Sequence, residues 1–290
     1  MSDKNRPIVG IIGVGKLGLS LARILLSKGY GVIGASLEHN AEFERLGARY
    51  VEDATAIATQ SDIAIECVGS ESAASHLGQA YLAGAAAGKV YVSLSTFHPD
   101  FKEEQSRLLD AGGAAYVDAT ISGGPARLEA GEATLFVGCD DKTVVDRCAP
   151  LFSDMTNRWY YTGEVGSASK LKLVNNALGF VHNVAVAEAL ALAEKMKLDP
   201  LRVIEFLAGG TGSSTALTVR GPLMARRDYG PPSGDMAGAV VVLDVMLEMA
   251  QKHDAHMTLL EQAGKFYRRA LDEGRHGQDI AQVYEMINPR

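Results

Sequence analysis

The sequence has few cysteines, no cluster of basic residues and no long uncharged apolar run. Its three cysteines, Cys67, Cys139 and Cys148, lack the CxxC pairing that zinc sites and redox dithiols usually need, so we predict no metal site. The formal net charge is -7, and no run of Lys and Arg offsets it locally. Because such a chain repels phosphate backbones, nucleic acid is not an expected partner.

Neither a membrane segment nor an export signal is predicted. The apolar run from Ile8 to Gly15 resembles the core of a signal peptide, but Lys16 ends it after only eight residues. No other segment reaches the roughly 18 uncharged apolar residues that a membrane span requires. We therefore expect a cytoplasmic protein. With 47% hydrophobic and 22% charged residues over 290 positions, the chain has the composition and length of a globular protein with two domains.

Short β-branched or apolar runs alternate with helical stretches up to about Tyr161. The predicted strands are Ile8 to Ile12, Val32 to Ser36, Asp62 to Val68, Val90 to Leu94, Ala114 to Asp118 and Thr134 to Val137. Strands that alternate with helices in this way indicate parallel crossover units. The sequence therefore predicts an α/β, doubly wound, Rossmann-type N-terminal domain.

From Gly166 the pattern changes, because apolar residues recur at steps of three and four as far as Met196. This predicts one helix about 45 Å long, which is longer than a small domain is wide. Only helical patterns follow it. We predict a dinucleotide-binding domain over residues 1–163 and an all-α domain over residues 164–290, joined by the long interdomain helix. Such a helix needs more than one neighbour, which favours a homodimer or higher oligomer.

A glycine-rich turn follows the first predicted strand directly and opens a helix. Its residues are Gly13, Val14, Gly15, Lys16, Leu17 and Gly18. In this GxGxxG pattern the first glycine permits a tight turn, the second lets the backbone approach a pyrophosphate, and the third lets helix pack on strand. The helix N-terminus then offers free N–H groups to the phosphates. The turn therefore predicts a dinucleotide cofactor.

The end of the second predicted strand bears on the choice of cofactor. Glu38 lies near Ser36, about 20 residues beyond the glycines, where an acidic residue is expected to bind the ribose. Its carboxylate would accept hydrogen bonds from the ribose diol of NAD and repel the 2′-phosphate of NADP, and no Arg occupies positions 35 to 42. We predict NAD, with NADP left open. The alternative interpretation is that Glu38 only starts the next helix.

Two lysines and two adjacent amides open the long predicted helix, at Lys170, Lys172, Asn175 and Asn176. Polar groups buried at a domain boundary cost free energy unless they are paired or used. Lys172 and Asn176 are four residues apart and share a face, whereas Lys170 lies about 200° round the helix from Lys172. Lys172 is therefore the candidate for chemistry. The alternative is a solvated lysine near a helix start.

A second glycine turn, Ser122-Gly123-Gly124-Pro125, follows the predicted strand that ends at Asp118. Its unhindered backbone N–H groups could hold a carboxylate oxygen, although a plain β-turn has the same sequence. Ser95-Thr96 adds hydroxyls after another strand, at the carboxyl edge of the sheet where open α/β folds bind ligands. We expect these elements to meet at one site.

In this order, the motifs resemble those of the β-hydroxyacid dehydrogenase family. That family includes 3-hydroxyisobutyrate, tartronate semialdehyde and threonate dehydrogenases and is related to 6-phosphogluconate dehydrogenase. The resemblance covers essentially the whole chain, from the GxGxxG turn to the segment Gly166 to Asn176. It implies an NAD(P)-dependent oxidoreductase that transfers hydride between nicotinamide and the β-hydroxyl of a small hydroxy acid, or reduces the matching semialdehyde.

The resemblance also implies roles for single residues. Lys172 would be the general acid and base, with Asn176 and Ser122 completing the catalytic set. The implied substrate-binding residues are Ser122, Gly123, Gly124, Asn176 and Asp244. The residues implied beside the nicotinamide are Val68, Gly69 and Thr96.

Three positions depart from the family pattern. Ser36-Leu37 stands where members usually carry Asn or Asp followed by Arg, which leaves NAD or NADP open. Leu243-Asp244 stands where members usually carry a Lys-Asp pair, and the lost lysine weakens any transfer of substrate identity from the family. Arg127, just after the second glycine turn, is a further candidate for contact with an anionic substrate, or a solvated loop arginine.

Two other functions remain open from the sequence. An imine reductase is built on the same two domains, although those enzymes usually replace the lysine at the position of Lys172. A non-catalytic dinucleotide-binding protein would bind cofactor without turnover.

Overall fold

The structure is a computed structural model that describes residues 6–85 and 87–289. The chain divides into two units, Met1–Lys172 and Leu173–Arg290, and each unit has its own hydrophobic core. The first unit is α/β and the second is built of helices, so the predicted fold class is confirmed.

The first unit is organised around one sheet. Its strands are β1 (Ile8–Ile12), β2 (Gly31–Ala35), β3 (Arg49–Tyr50), β4 (Ile63–Glu66), β5 (Val90–Ser93), β6 (Ala115–Ser122), β7 (Thr134–Gly138) and β8 (Arg158–Gly163). They lie in the order β3-β2-β1-β4-β5-β6-β7-β8, and neighbouring strands are parallel except for β6 and β7. The order reverses between β1 and β4, and in open α/β sheets ligands bind at the carboxyl ends of the strands at such a point.

Helices cover both faces of this sheet. They are α1 (Lys16–Ser27), α2 (Ala41–Arg45), α3 (Ala54–Gln60), α4 (Glu71–Gly84), α5 (Pro99–Ala111), α6 (Gly124–Glu129) and α7 (Lys142–Met155). Side chains alternate along β1, so that Val9 and Ile11 pack into one apolar cluster and Ile12 into another. A strand buried on both faces reads as a continuous apolar run, which is why β1 is evident in the sequence.

The strand β6 is longer than the sequence predicts. The prediction ends at Asp118, whereas the strand continues to Ser122. The reason is that β5 pairs with β6 only as far as Asp118, and from there β6 pairs with the antiparallel β7. The strand therefore carries its last residue directly to the second glycine turn.

The long helix α8 (Ser167–Lys195) spans the division between the units. At 1.5 Å per residue its 29 residues extend about 44 Å. The predicted boundary at 163/164 lies before this helix and stays a prediction. Within the described residues, α8 alone is long and apolar enough to cross a membrane, but half of that apolar window is buried inside the protein, as in a core helix.

The second unit continues α8 with further helices. They are α9 (Pro200–Leu207), α10 (Gly221–Arg226), α11 (Met236–Lys252), α12 (Thr258–Asp272) and α13 (Val283–Ile287), with a π-helical segment at Ala216–Arg220 and a 3-10 turn at Ile280–Gln282. Asn183 of α8 lies in their core, where its amide donates to the Tyr267 hydroxyl at 3.0 Å and to the Ile280 carbonyl at 2.8 Å. These bonds tie α8 to α12 and to the C-terminal segment.

Candidate functional site

The first glycine turn joins β1 to α1, and its three glycines have different surroundings. Gly13 has a φ of +96°, and a Cβ there would lie 2.6 Å from the Cys67 carbonyl oxygen. A Cβ on Gly18 would lie 2.3 Å from the Gly13 carbonyl oxygen, so only glycine lets α1 pack on the turn. At Gly15, apart from the glycine and its two chain neighbours, no atom of the described residues lies within 4 Å of that position. The turn therefore fits a dinucleotide, with tight geometry at both ends and open space in the middle.

The other residues of this turn face different directions. Val14 is buried in the core, so its backbone rather than its side chain is available to a ligand. Lys16 begins α1 and is exposed, while Leu17 is partly buried against the core. Because Gly15 caps α1 without a side chain, the first N–H groups of α1 have no side-chain acceptor from their own cap. This is the arrangement that binds phosphate at helix N-termini.

The predicted ribose contact lies just after β2. Ser36 is partly buried and Glu38 is exposed. The next helix, α2, begins only at Ala41, where the Asn40 side chain accepts a hydrogen bond from the Glu42 N–H at 2.9 Å. Glu38 therefore does not start that helix, and its carboxylate is accessible beyond the carboxyl end of β2. The contact with ribose stays a prediction.

The carboxyl ends of β4 and β5 bring Val68 and Ser95 together. The Val68 N–H donates to the Ser95 hydroxyl at 3.0 Å, and that hydroxyl lies 2.7 Å from the Val68 carbonyl oxygen. A Cβ on Gly13 would lie 3.1 Å from a Val68 methyl, so this segment also borders the first glycine turn. Gly69 is exposed to solvent, and Thr96 is partly buried. Of the residues predicted beside the nicotinamide, the structure places Val68 next to the first glycine turn.

The second glycine turn follows β6 directly. Gly123 has a φ of +132° and Gly124 a φ of +68°, both in the region that favours glycine. Ser122 is partly buried and Gly123 is exposed, so the backbone here is accessible. Arg127 donates to the Glu132 carbonyl at 3.3 Å and lies 3.7 Å from the Glu132 carboxylate, which ties it to its own loop. Binding of a substrate carboxylate by this turn stays a prediction.

The two lysines of α8 have different environments. Lys170 is exposed and forms an ion pair with Glu103 of α5 at 3.0 Å. Lys172 is partly buried, and burial lowers the pKa of its amine to about 8. The cause is desolvation, which disfavours the charged form of a lysine. Asn176 lies one turn further along α8 and is also partly buried. A pKa of about 8 suits the Lys172 amine to proton transfer near neutral pH.

In the second unit, Leu243, which stands in place of the usual lysine, and the predicted substrate-binding residue Asp244 lie on α11. Leu243 is fully buried in the core, and Gly264 of α12 makes room for it. Asp244 is exposed and forms an ion pair with Arg268 at 2.6 Å. Its contact with substrate stays a prediction.

Sequence reasoning did not identify a buried charged cluster in the first unit. Glu66, Lys102 and Asp118 are all essentially inaccessible to solvent. The available signal was Glu66, a carboxylate inside the apolar run of β4, since a buried charge needs a partner. This cluster lies at the same carboxyl edge of the sheet as the candidate site.

Two family models match the chain. The NAD binding domain of 6-phosphogluconate dehydrogenase matches residues 8–163, which is more than half of the chain. The model described as NAD-binding of NADP-dependent 3-hydroxyisobutyrate dehydrogenase matches residues 166–287.

Curated relatives are similar over most of the chain. A 2-(hydroxymethyl)glutarate dehydrogenase of Eubacterium barkeri is 28% identical over 293 residues, covering 96% of this chain and 95% of that protein. The cytokine-like nuclear factor N-PAC of Anopheles gambiae is 23% identical over 281 residues, covering 95% of this chain. The chain spans about half the length of that nuclear factor, 49%.

Solved structures share the fold. A 3-hydroxyisobutyrate dehydrogenase from Salmonella typhimurium superposes with a TM-score of 0.88 at 23% identity, covering 96% of this chain and 99% of that one. An imine reductase from Pseudomonas sp. gives a TM-score of 0.61 at 22% identity, covering 97% and 99%. At these identities the likeness concerns the fold alone.

Proposed function

The chain belongs to the β-hydroxyacid dehydrogenase family of NAD(P)-dependent oxidoreductases, and from that premise we propose that it transfers hydride between nicotinamide and the β-carbon of a small hydroxy acid. In the reverse direction it reduces the matching semialdehyde. The observation that carries the proposal is the Lys172 amine, whose pKa burial lowers to about 8. At its ordinary pKa of about 10.4, a lysine would be a poor base near neutrality.

The mechanism follows from the predicted roles. In oxidation, the neutral amine of Lys172 takes the proton of the substrate hydroxyl, while the backbone N–H groups of Ser122 to Gly124 hold the substrate carboxylate. Asn176, one helical turn from Lys172, holds the hydroxyl oxygen and fixes its direction. The bound nicotinamide supplies the hydride acceptor. In reduction, the ammonium of Lys172 returns the proton to the carbonyl oxygen.

We propose NAD as the preferred cofactor. The support is Glu38, which lies outside α2 and is exposed after β2. A carboxylate there hydrogen-bonds the ribose diol of NAD and repels the 2′-phosphate of NADP.

We also propose a cytoplasmic homodimer. The support for a homodimer is the apolar side chains that α8 exposes at heptad-like spacing: Leu171, Val174, Leu178 and Leu192. Spacing of this kind forms the seam between paired helices. Sedimentation analysis of the full chain would then give twice the mass of one chain.

A spectrophotometric screen tests the proposed function. Short β-hydroxy acids are supplied with NAD or NADP in parallel, and the matching semialdehydes and a cyclic imine are supplied with NADH or NADPH. We expect reduced cofactor to form with at least one hydroxy acid, faster with NAD than with NADP. Turnover of the imine alone would indicate an imine reductase, and cofactor binding without turnover would indicate a non-catalytic protein.

The pH dependence of turnover follows from the lowered pKa of Lys172. Oxidation needs the neutral amine, so kcat/KM for the hydroxy acid rises with pH and levels off above about pH 8. Reduction needs the ammonium, so kcat/KM for the semialdehyde falls above the same pH. Initial rates measured in both directions check this. Profiles that bend in the same sense in both directions would contradict the assignment of Lys172.

A further inference from the structure

Three neighbouring strands carry polar residues at the same level of the sheet. Glu66 of β4 pairs in register with Ser93 of β5, and Ser93 pairs with Asp118 of β6. All three are buried. The Ser93 hydroxyl donates to the Glu66 carboxylate at 2.5 Å. A row of polar side chains therefore crosses the sheet beneath the candidate site.

Lys102 of α5 supplies the positive charge for this row. Its ammonium donates to the Ser93 hydroxyl at 2.6 Å and to the Ser93 carbonyl at 3.1 Å. It also lies 3.5 Å from the Asp118 carboxylate, and neither side chain is accessible to solvent. Because a buried charge must be paired and hydrogen-bonded, these contacts hold Lys102 and Asp118 in one arrangement.

At one end the row is bonded to the first turn of α8. The Asp118 carboxylate accepts from the Ser169 N–H at 2.9 Å and from the Ser169 hydroxyl at 2.8 Å. The N–H groups of a first helical turn have no intrahelical acceptor, so this carboxylate satisfies one of them. Lys172 lies three residues further along α8. Asp118 thus fixes the helical turn next to the proposed catalytic lysine.

At the other end the row is bonded to the loop beside the first glycine turn. The Glu66 carboxylate accepts from the Val68 N–H at 2.8 Å and from the Ser95 hydroxyl. Val68 belongs to the segment that is predicted to lie beside the nicotinamide. The same network therefore connects the helical turn beside Lys172 with the loop that is predicted to lie beside the nicotinamide.

We propose that the buried network of Glu66, Ser93, Lys102, Asp118 and Ser169 positions the start of α8, and with it Lys172, relative to the loop at Val68. The proposal rests on the proposed function, and it makes Lys102, Asp118 and Ser169 positioning residues. Stability alone does not require these charges, because replacing a buried ion pair with apolar residues of similar volume is often neutral or stabilising. The position of a catalytic group is more sensitive, since a displacement of about 1 Å can lower the rate about 100-fold.

Ser169→Ala tests the proposal in the full-length protein with the hydroxy acid and cofactor found in the screen. The variant removes one bond to Asp118 and keeps the backbone N–H. We expect kcat to fall at least about tenfold, with the dissociation constant of the cofactor unchanged. The matched control is Ser167→Ala, in the same turn, whose hydroxyl lies 2.8 Å from that of Thr162 instead. We expect this control to keep the wild-type kcat.

A double-mutant cycle shows whether Ser169 acts through Lys172. In the Lys172→Ala background the lysine is absent, so adding Ser169→Ala changes the residual rate by less than about twofold. An equal loss in both backgrounds, or no loss in either, overturns the proposal. Wild-type turnover in Lys172→Ala instead overturns the proposed function itself, so the two failures are distinct.

Hydrogen exchange gives a readout that does not depend on activity. In the cofactor-free protein, Asp118→Asn weakens the acceptor for the Ser169 N–H. We expect the amides of residues 167–172 to exchange at least about tenfold faster, while those of α12 are unchanged. Unchanged protection at 167–172 would mean that Asp118 does not hold this turn, and the proposal would fail.

Discussion

Replacing Lys172 with alanine lowers kcat by roughly 10²- to 10⁴-fold, which is the usual contribution of a general acid or base. In the proposed mechanism this amine takes or returns the proton of the substrate hydroxyl, and the variant leaves no group on α8 in its place. Calorimetric titration gives the same cofactor affinity as for the wild type, because the predicted cofactor contacts lie in the first glycine turn and in the segments after β2, β4 and β5, away from α8. The bend near pH 8 in the rate profile is lost with the amine.

Lys170→Ala is the matched control for this variant. Lys170 is on the same helix but is exposed and paired with Glu103 at 3.0 Å. Exposed ion pairs contribute about 0 to 1 kcal/mol, so turnover stays within about twofold of wild type. Lys172→Arg keeps a charge that cannot be removed near neutrality, and it therefore fails as a base in oxidation. Full turnover in Lys172→Ala would remove this lysine from the mechanism.

The fold could be predicted because its elements carry strong periodic signals. The strands β1, β2, β4 and β5 are short, mostly apolar and mostly buried runs, and the apolar residues of α8 recur at helical spacing. The GxGxxG turn was recognisable because it needs a strand before it and a helix after it, and both are present. These are local properties, which a single sequence contains.

Other elements depend on tertiary pairing and gave no clear local signal. The strand β3 has only two residues and forms by pairing with β2. The strand β8, Arg158–Gly163, has exposed residues on both sides and forms by pairing with β7. The π-helical segment Ala216–Arg220 was also not predicted, since its composition does not differ from that of an ordinary helix. For β3 and β8 the neighbouring strand, rather than the segment's own sequence, determines the structure.

The candidate site shows the same limit. The glycine turns, Lys172 and Thr96 could be selected as candidates from motifs, but Lys102 could not. Lys102 lies close in sequence to Asp100, Glu103 and Glu104, and this charged pattern predicts an exposed helix surface. Lys102 can be buried because its ammonium contacts Ser93 of β5 and Asp118 of β6. Only the paired sheet brings these three residues together.

Lys102→Met is expected to destabilise the first unit by roughly 3 to 5 kcal/mol, the usual cost of removing one partner from a buried ion pair. Methionine fills most of the lysine volume, so the loss comes from the charge rather than from a cavity. The carboxylates of Glu66 and Asp118 then stay buried without their counter-charge. Equilibrium unfolding in urea measures the change.

Two further variants separate this effect from a general loss of lysine. Lys142→Met removes an exposed lysine that pairs with Asp146 at 2.7 Å, and it changes the free energy of unfolding by less than about 0.5 kcal/mol. Adding Asp118→Asn to Lys102→Met removes one uncompensated charge, so the double variant is less destabilised than the sum of the two single variants. If the free energy of unfolding of Lys102→Met is within about 1 kcal/mol of the wild-type value, the buried carboxylates need no counter-charge from α5.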